Sequence, residues 1–177
     1  MNVEVHIIGT GHHYQFGAGA TFGSSSCSHD DAIAFQSFLV LSARAVNAMA
    51  ICEELSREAL KEVGAKVSVP ETVAANLGLP HLLCDPDRAE RRTLGIMDDN
   101  QVRAEALFET PKPTEAEIQV RISQHYQRRE AEWHGRIIGS ENTPILFICG
   151  SNHVDSFSAL LQAKGVQVNV LCQDWTA

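Results

Sequence analysis

Two rhythms of apolar and polar positions alternate along the chain. Short apolar-rich runs recur at Val3–Ile8, Ala48–Cys52, Pro80–Cys84, Pro144–Cys149 and Val166–Cys172. Runs of this length between turn signals predict buried strands. The stretches between them carry helix signals. Asp30 to Asn47 opens with acids that suit a first turn. It is apolar nearly all round (Ala32, Ile33, Phe35, Phe38, Leu39, Val40, Leu41), which predicts deep burial. Leu55–Val63 is a short helix ended by Gly64. Ser68–Leu77 has Pro70 near its first turn and Gly78 at its end. The charged run Asp87–Arg92 predicts an exposed helix, and Val154–Ala163 a helix stopped by Gly165. The clearest helix is Thr114–Ile138. Thr114 and Glu117 form a capping box. Ile118, Ile122, Tyr126, Arg129, Trp133 and Ile137 then recur on one face. Two stretches have no period. Gly9–Ser28 reads as a long Gly/Ser-rich loop, a kind often functional. Asp98–Pro113 reads as a lid or a loosely ordered connection.

Strands alternating with helices predict a single α/β domain, with a mainly parallel sheet and helices on both faces. The length of 177 residues suits one such domain. A chain of this size buries roughly 70% of its unfolded surface. Lys plus Arg is 14 against 22 for Asp plus Glu, a net charge of −8. That balance argues against nucleic acid or an anionic membrane as partner. No apolar run reaches the roughly 20 residues of a membrane helix. The N-terminal run carries Glu4 and reads as a strand rather than a leader. Five cysteines occur without a C-x-x-C pair, and Cys52, Cys84, Cys149 and Cys172 lie in or beside apolar runs. Buried free thiols in a cytoplasmic setting are expected. The expected partner is a small-molecule or peptide substrate; a homo-oligomer stays open.

In a parallel sheet, ligands bind outside the carboxyl ends of the strands. Here those ends repeatedly carry titratable residues: His12 and His13 after the first strand, Glu53 and Glu54 after the second, Asp85 after the third, His153 after the fourth. Polar residues are common where strands exit to solvent. Two histidines, each three residues after a strand-ending glycine, are less so. Gly9 and Gly150 should let the chain turn off the strand. Backbone N–H groups near Gly11 and Asn152 could then face a ligand. His12, a carboxylate and His153 could hold a divalent metal, or one histidine could act as general base on water without metal. Glu53 and Glu54 are consecutive and point to opposite faces. Glu53 is the favoured pocket acid because it shares parity with Ile51. Two readings stand for Arg129: pairing with a buried acid, or stabilising a negative transition state.

Other signals are weaker. Gly9-x-Gly11 lacks the third glycine of a dinucleotide fingerprint and no helix is expected directly after it. Gly17, Gly19 and Gly23 with Ser24–Ser26 could cradle a phosphate, although a lid is favoured. Cys149 beside Gly150 is better read as an inert core thiol than as a nucleophile. His6 and His81 are expected in the core, and His125 and His134 on the surface.

The elements Gly9-Thr-Gly-His12, Glu53 or Glu54, Arg129 in Arg-Glu-Ala-Glu-Trp133, and Gly150-Ser-Asn-His153 resemble the TraB/Tiki branch of the erythromycin esterase/ChaN-like superfamily. The likeness extends to the tail with Leu160, Leu161, Gly165 and a closing strand. It implies an EreA/ChaN-like fold, in a superfamily whose members include metal-dependent proteases, lactone hydrolases and haem-iron binders. This chain is short for the branch and leaves little room for substrate-capping insertions.

The resulting expectation is a hydrolase-like protein, metal-assisted by Mn, Co or Zn or metal-free. Its catalytic set is His12, Glu53, Glu54, Arg129 and His153; ligand contacts come from Gly9, Gly11, His13, Asp85, Gly150 and Asn152; the metal ligands are His12, Glu53 and His153. The two histidines should come within roughly 10 Å of each other. The runner-up is a non-catalytic small-ligand or metal-binding module on the same fold.

Overall fold

The computed structural model describes residues 3–23, 25–139 and 142–177. In chain order its elements are β1 (Glu4–Thr10), α1 (His12–Phe16), β2 (Thr21–Phe22), β3 (Ser25–Ser26), α2 (His29–Ala45), β4 (Ala50–Glu53), α3 (Arg57–Glu62), α4 (Val69–Leu77), β5 (His81–Leu83), α5 (Arg88–Leu94), α6 (Asp99–Ala106), α7 (Glu115–Ile138), β6 (Ile145–Gly150), a 3-10 turn (Ser151–His153), α8 (Val154–Ala163) and β7 (Gln167–Trp175). All five predicted strands form one sheet in the order β5-β4-β6-β1-β7. Each pairing among them is parallel. The chain is thus a single α/β domain with a parallel sheet between helices.

The period-2 alternation of the strands sorts the core into two layers. Val5, Ile7, Ala50, Cys52, Ile145, Phe147 and Cys149 face Trp133 and Ile137 of α7 and Val154, Phe157 and Leu161 of α8. The opposite parity (Ile8, Ile51, Leu146, Ile148) faces Phe35, Leu39 and Ala43 of α2 and Val73 and Ala74 of α4. Strands β1 and β6 are direct neighbours, with Thr10 opposite Gly150. The two Gly-x-x-His elements therefore leave the sheet side by side at one edge.

Several expectations change. Helix α2 is not buried all round. Its inward stripe is Phe35, Leu39 and Ala43, whereas Ile33 and Leu41 are exposed. One layer of sheet can cover only one face of a helix, however apolar the rest is. The stretch 9–28 is not a plain loop: β1 runs on to Thr10, α1 follows directly after Gly11, and β2 and β3 make a small antiparallel hairpin. Gly17, Gly19 and Gly23 take the positive φ values its turns need. Of the suggested phosphate cradle, Ser24 lies outside the described residues and Ser26 is exposed. The stretch 98–113 contains α6, started by an Asp98–Gln101 capping box and anchored by Val102 and Ala106. Two buried positions four apart are too few to show a period. The long helix starts as predicted, with the Thr114–Glu117 capping box.

Candidate active site

The carboxyl ends of β1, β4 and β6 open into a cavity of about 840 Å³, lined by His12, Glu54, Asp85, Arg129 and His153 among others. Strand parity decides which acid enters it. Glu54 shares parity with Cys52 and points to the α7 side; Glu53 shares parity with Ile51 and points to the α4 side. The pocket lies on the face opposite to the one Glu53 shares with Ile51, so Glu54 and not the expected Glu53 is the pocket acid.

Glu54 is the focus of the site. Its Oε1 lies 2.8 Å from Arg129 Nη2, 3.4 Å from His153 Nε2 and 3.8 Å from His12 Nε2. Its Oε2 accepts a hydrogen bond from the Gly150 N–H at 2.8 Å. Burial would push this carboxyl up, but His153, His12, Arg129 and the Gly150 amide outweigh it and hold it lowered to about 2. Glu54 is therefore a fixed negative charge at neutral pH. Both imidazoles meet at one oxygen, so the histidines share a site as expected.

Each histidine is held from behind. Glu130, buried on α7, accepts from His153 Nδ1 at 2.7 Å and from the Ser156 hydroxyl at 2.6 Å. Gln15 Oε1 lies 2.8 Å from His12 Nδ1. In both rings Nε2 is the nitrogen turned toward Glu54. Tyr126 packs against the His153 ring at 4.3 Å between centroids and donates to Asp99. Burial and Asp99 push its phenol up to about 12, so it stays a neutral donor. None of Gln15, Tyr126 and Glu130 was singled out as a site residue. The signal was present for two of them. Glu130 stands four after Tyr126 and three before Trp133, a charged residue on the apolar face. Gln15 carries no such signal.

Arg129 takes the pairing role. Its side chain is 12% exposed and its Nε and Nη2 also donate to Asp85 Oδ1 at 3.1 and 2.9 Å. Asp85 further accepts from Trp133 Nε1 at 3.1 Å and from Arg91. The cation balances two buried carboxylates.

The glycines serve a purpose other than turning. Neither Gly9 nor Gly150 has positive φ. A Cβ on Gly150 would lie 3.1 Å from His12 Nε2 and 3.4 Å from Glu54 Oε2; a Cβ on Gly9 would run into the Gln173 carbonyl oxygen of β7. Gly150 allows the ring and the carboxylate to approach the chain. Gly9 permits strand packing and does not line the cavity, so its ligand-contact role is withdrawn. Gly11, His13, Asp85, Gly150 and Asn152 do line it. Cys149 is fully buried and its thiol is pushed well up by burial, so it is no nucleophile. All five cysteines are free. His6 is buried and His81 nearly so, whereas His125 is buried against the Met97 N–H rather than on the surface.

The expected metal ligands His12, Glu53 and His153 do not converge, because Glu53 faces away. Glu54 stands in its place, yet its oxygens already serve Arg129 and Gly150. A permanent guanidinium 2.8 Å from the would-be ligand oxygen opposes a dication. Among the described residues no group of three or more His, Cys, Asp or Glu side chains is set to hold a metal ion. The residues present do not fit Mn, Co or Zn.

No protein-family model, curated protein or solved structure matches the chain. No helix among the described residues is long and apolar enough to cross a membrane.

Proposed function

We propose that the chain is a metal-free hydrolase whose two imidazoles act as general base and general acid on a small acyl substrate: an ester, lactone or peptide. One observation carries the reading. Two histidines present Nε2 to a single buried carboxylate on a cavity floor, each with Nδ1 held by an acceptor. This is the arrangement of a base and its orienting group, doubled. The chain order of Gly-x-x-His, acid, Arg and Gly-x-x-His supports kinship with the TraB/Tiki branch.

The chemistry divides by environment. Glu54, held near 2, is too weak a base at neutral pH; its negative charge offsets the charge that develops on the rings, which Gln15 and Glu130 hold in place at Nδ1. His12 is the more exposed imidazole, 23% against 4% for His153, and takes the base role. Its Nε2 removes a proton from water as the water oxygen bonds to the substrate carbonyl carbon. His153, with the Glu130 carboxylate behind it, carries the proton that its Nε2 gives to the leaving oxygen or nitrogen as that bond breaks. Solvent then moves the proton from His12 back to His153. Arg129, with the two imidazoles, keeps Glu54 ionised throughout.

The test is a panel of esters, lactones and short peptides in chelator-treated buffer. His12→Asn and His153→Asn should each lower turnover by about 10²-fold or more, the usual worth of general acid–base catalysis, with an unchanged circular dichroism spectrum. If the parent turns over no member while a panel compound still binds in the cavity, the non-catalytic binding module replaces this reading.

A further inference from the structure

One buried carboxylate, Glu53, has no place in that mechanism. Glu53 is fully buried on the α4 side of the sheet. Its Oε1 accepts from the Ser68 hydroxyl and from His81 Nε2 at 2.9 Å; its Oε2 accepts from Gln15 Nε2 at 3.1 Å. Gln15 belongs to α1, one turn after His12, and its Oε1 is the atom 2.8 Å from His12 Nδ1. A continuous chain of hydrogen bonds thus runs from His81 through Glu53 and Gln15 to His12, passing from one face of the sheet to the cavity.

We infer that Glu53 and Gln15 are positioning residues that set the tautomer of His12, placing its ring proton on Nδ1 at 2.8 Å from Gln15 and leaving Nε2, which at 3.8 Å from Glu54 is beyond hydrogen-bond distance, unprotonated on the cavity side. A carboxylate only accepts. Gln15 must therefore turn its NH2 to Glu53, which leaves its carbonyl oxygen for His12. An amide oxygen also only accepts, so Nδ1 must carry the hydrogen. Glu130 imposes the same tautomer on His153 directly. The two rings then exchange their protons at the nitrogens that face the cavity. The catalytic use of this tautomer rests on the proposed hydrolase; the tautomer does not.

Glu53 also makes a sharp test. In Glu53→Gln, the two donors Ser68 and His81 hold the new amide oxygen on their side, and the NH2 falls on the Gln15 side. Gln15 must then rotate, offer its oxygen to residue 53 and its NH2 to His12 Nδ1. The relay reverses and the ring proton moves to Nε2. The experiment is two-bond 1H–15N correlation on the 15N-labelled full chain, at a pH where His12 is neutral, with its signals assigned by loss in His12→Asn. The parent should show a protonated Nδ1 and an unprotonated Nε2. Glu53→Gln should show the opposite pair, and Gln15→Leu should lose the Nδ1–H preference. A merely structural role would lower the melting temperature without exchanging the two nitrogen shifts. A parent ring protonated on Nε2, or a Glu53→Gln ring unchanged, would overturn the inference. Should either variant fail to fold, the parent spectrum still decides the tautomer. None of these outcomes depends on turnover, so failure of the hydrolase reading is seen separately, in the substrate panel.

Discussion

Replacing Arg129 by Met removes one charge from a buried three-way contact and leaves two carboxylates behind. Glu54 and Asp85 have side chains 1% and 5% exposed. Breaking a buried pair from one side costs about 3–5 kcal/mol when the remaining charge is left unpaired; Asp85 keeps Arg91 and Glu54 keeps His153 and the Gly150 amide, which places the loss at the lower end of that range. The position of Glu54 gives an independent check. Its carboxyl is lowered from an ordinary 4.5 to about 2, and at about 1.4 kcal/mol per unit that is worth roughly 3–4 kcal/mol for all its causes together. Arg129 supplies only part of it, beside His153 and His12, but it also supports Asp85. We expect a loss of about 3 kcal/mol at pH 7. At ~2–4 °C per kcal/mol for a chain of this size, melting should fall by roughly 6–12 °C. The sign with pH follows from the direction of the shift. A depressed carboxyl stabilises the fold fully above its unfolded value of 4.5, and this contribution is lost as pH falls toward 2. The gap between parent and Arg129→Met should therefore be constant above about pH 5 and narrow on acidification. Urea unfolding at pH 7 and at pH 3 reads both. A variant within about 1 kcal/mol of the parent at pH 7, or a gap that widens in acid, would refute the buried-charge argument.

Two other perturbations separate the roles of neighbouring residues. Gly9→Ala forces a methyl against the backbone of β7 and should cost ~1–3 kcal/mol or more in urea unfolding. Gly150→Ala meets the His12 ring and Glu54 instead. It should leave stability within about 1 kcal/mol, because a side chain can give way, yet shift the ring resonances of His12; the reverse ranking of stabilities would discredit the packing account. Because Arg129 occupies Glu54, chelator should not lower the melting temperature and added Mn, Co or Zn should not raise it. Binding at a free metal concentration of 100 Kd would add about 2.7 kcal/mol and show at once.

Much of this molecule can be read from local pattern. The five strands, their parallel direction and the capped helix over 114–138 follow from apolar runs, from alternation with helices and from the Thr114–Glu117 box. These signals involve residues near in sequence, and each is strong by itself. The polar ends at His12, Glu54, Asp85 and His153 are also legible, since a parallel sheet places every such end on one side. Period-2 alternation separates Glu53 from Glu54 with certainty. It does not say which face carries the cavity, because strands apolar on both faces look alike from either side. Only the docking of α7 and its Arg129 on one face, and of α4 with its Ser68 on the other, distinguishes the two acids. The same holds for Gln15, whose value lies in a hydrogen-bond partner on a distant strand that no periodicity encodes; for Glu130 the helical spacing marks a charge on the apolar face but not its partner, His153. The glycines show the limit most plainly. Gly9 and Gly150 occupy equivalent places in the two motifs, but the first is required by a strand added at the end of the chain and the second by a ring from its beginning. What must pass close to a backbone is settled only when the chain has closed on itself.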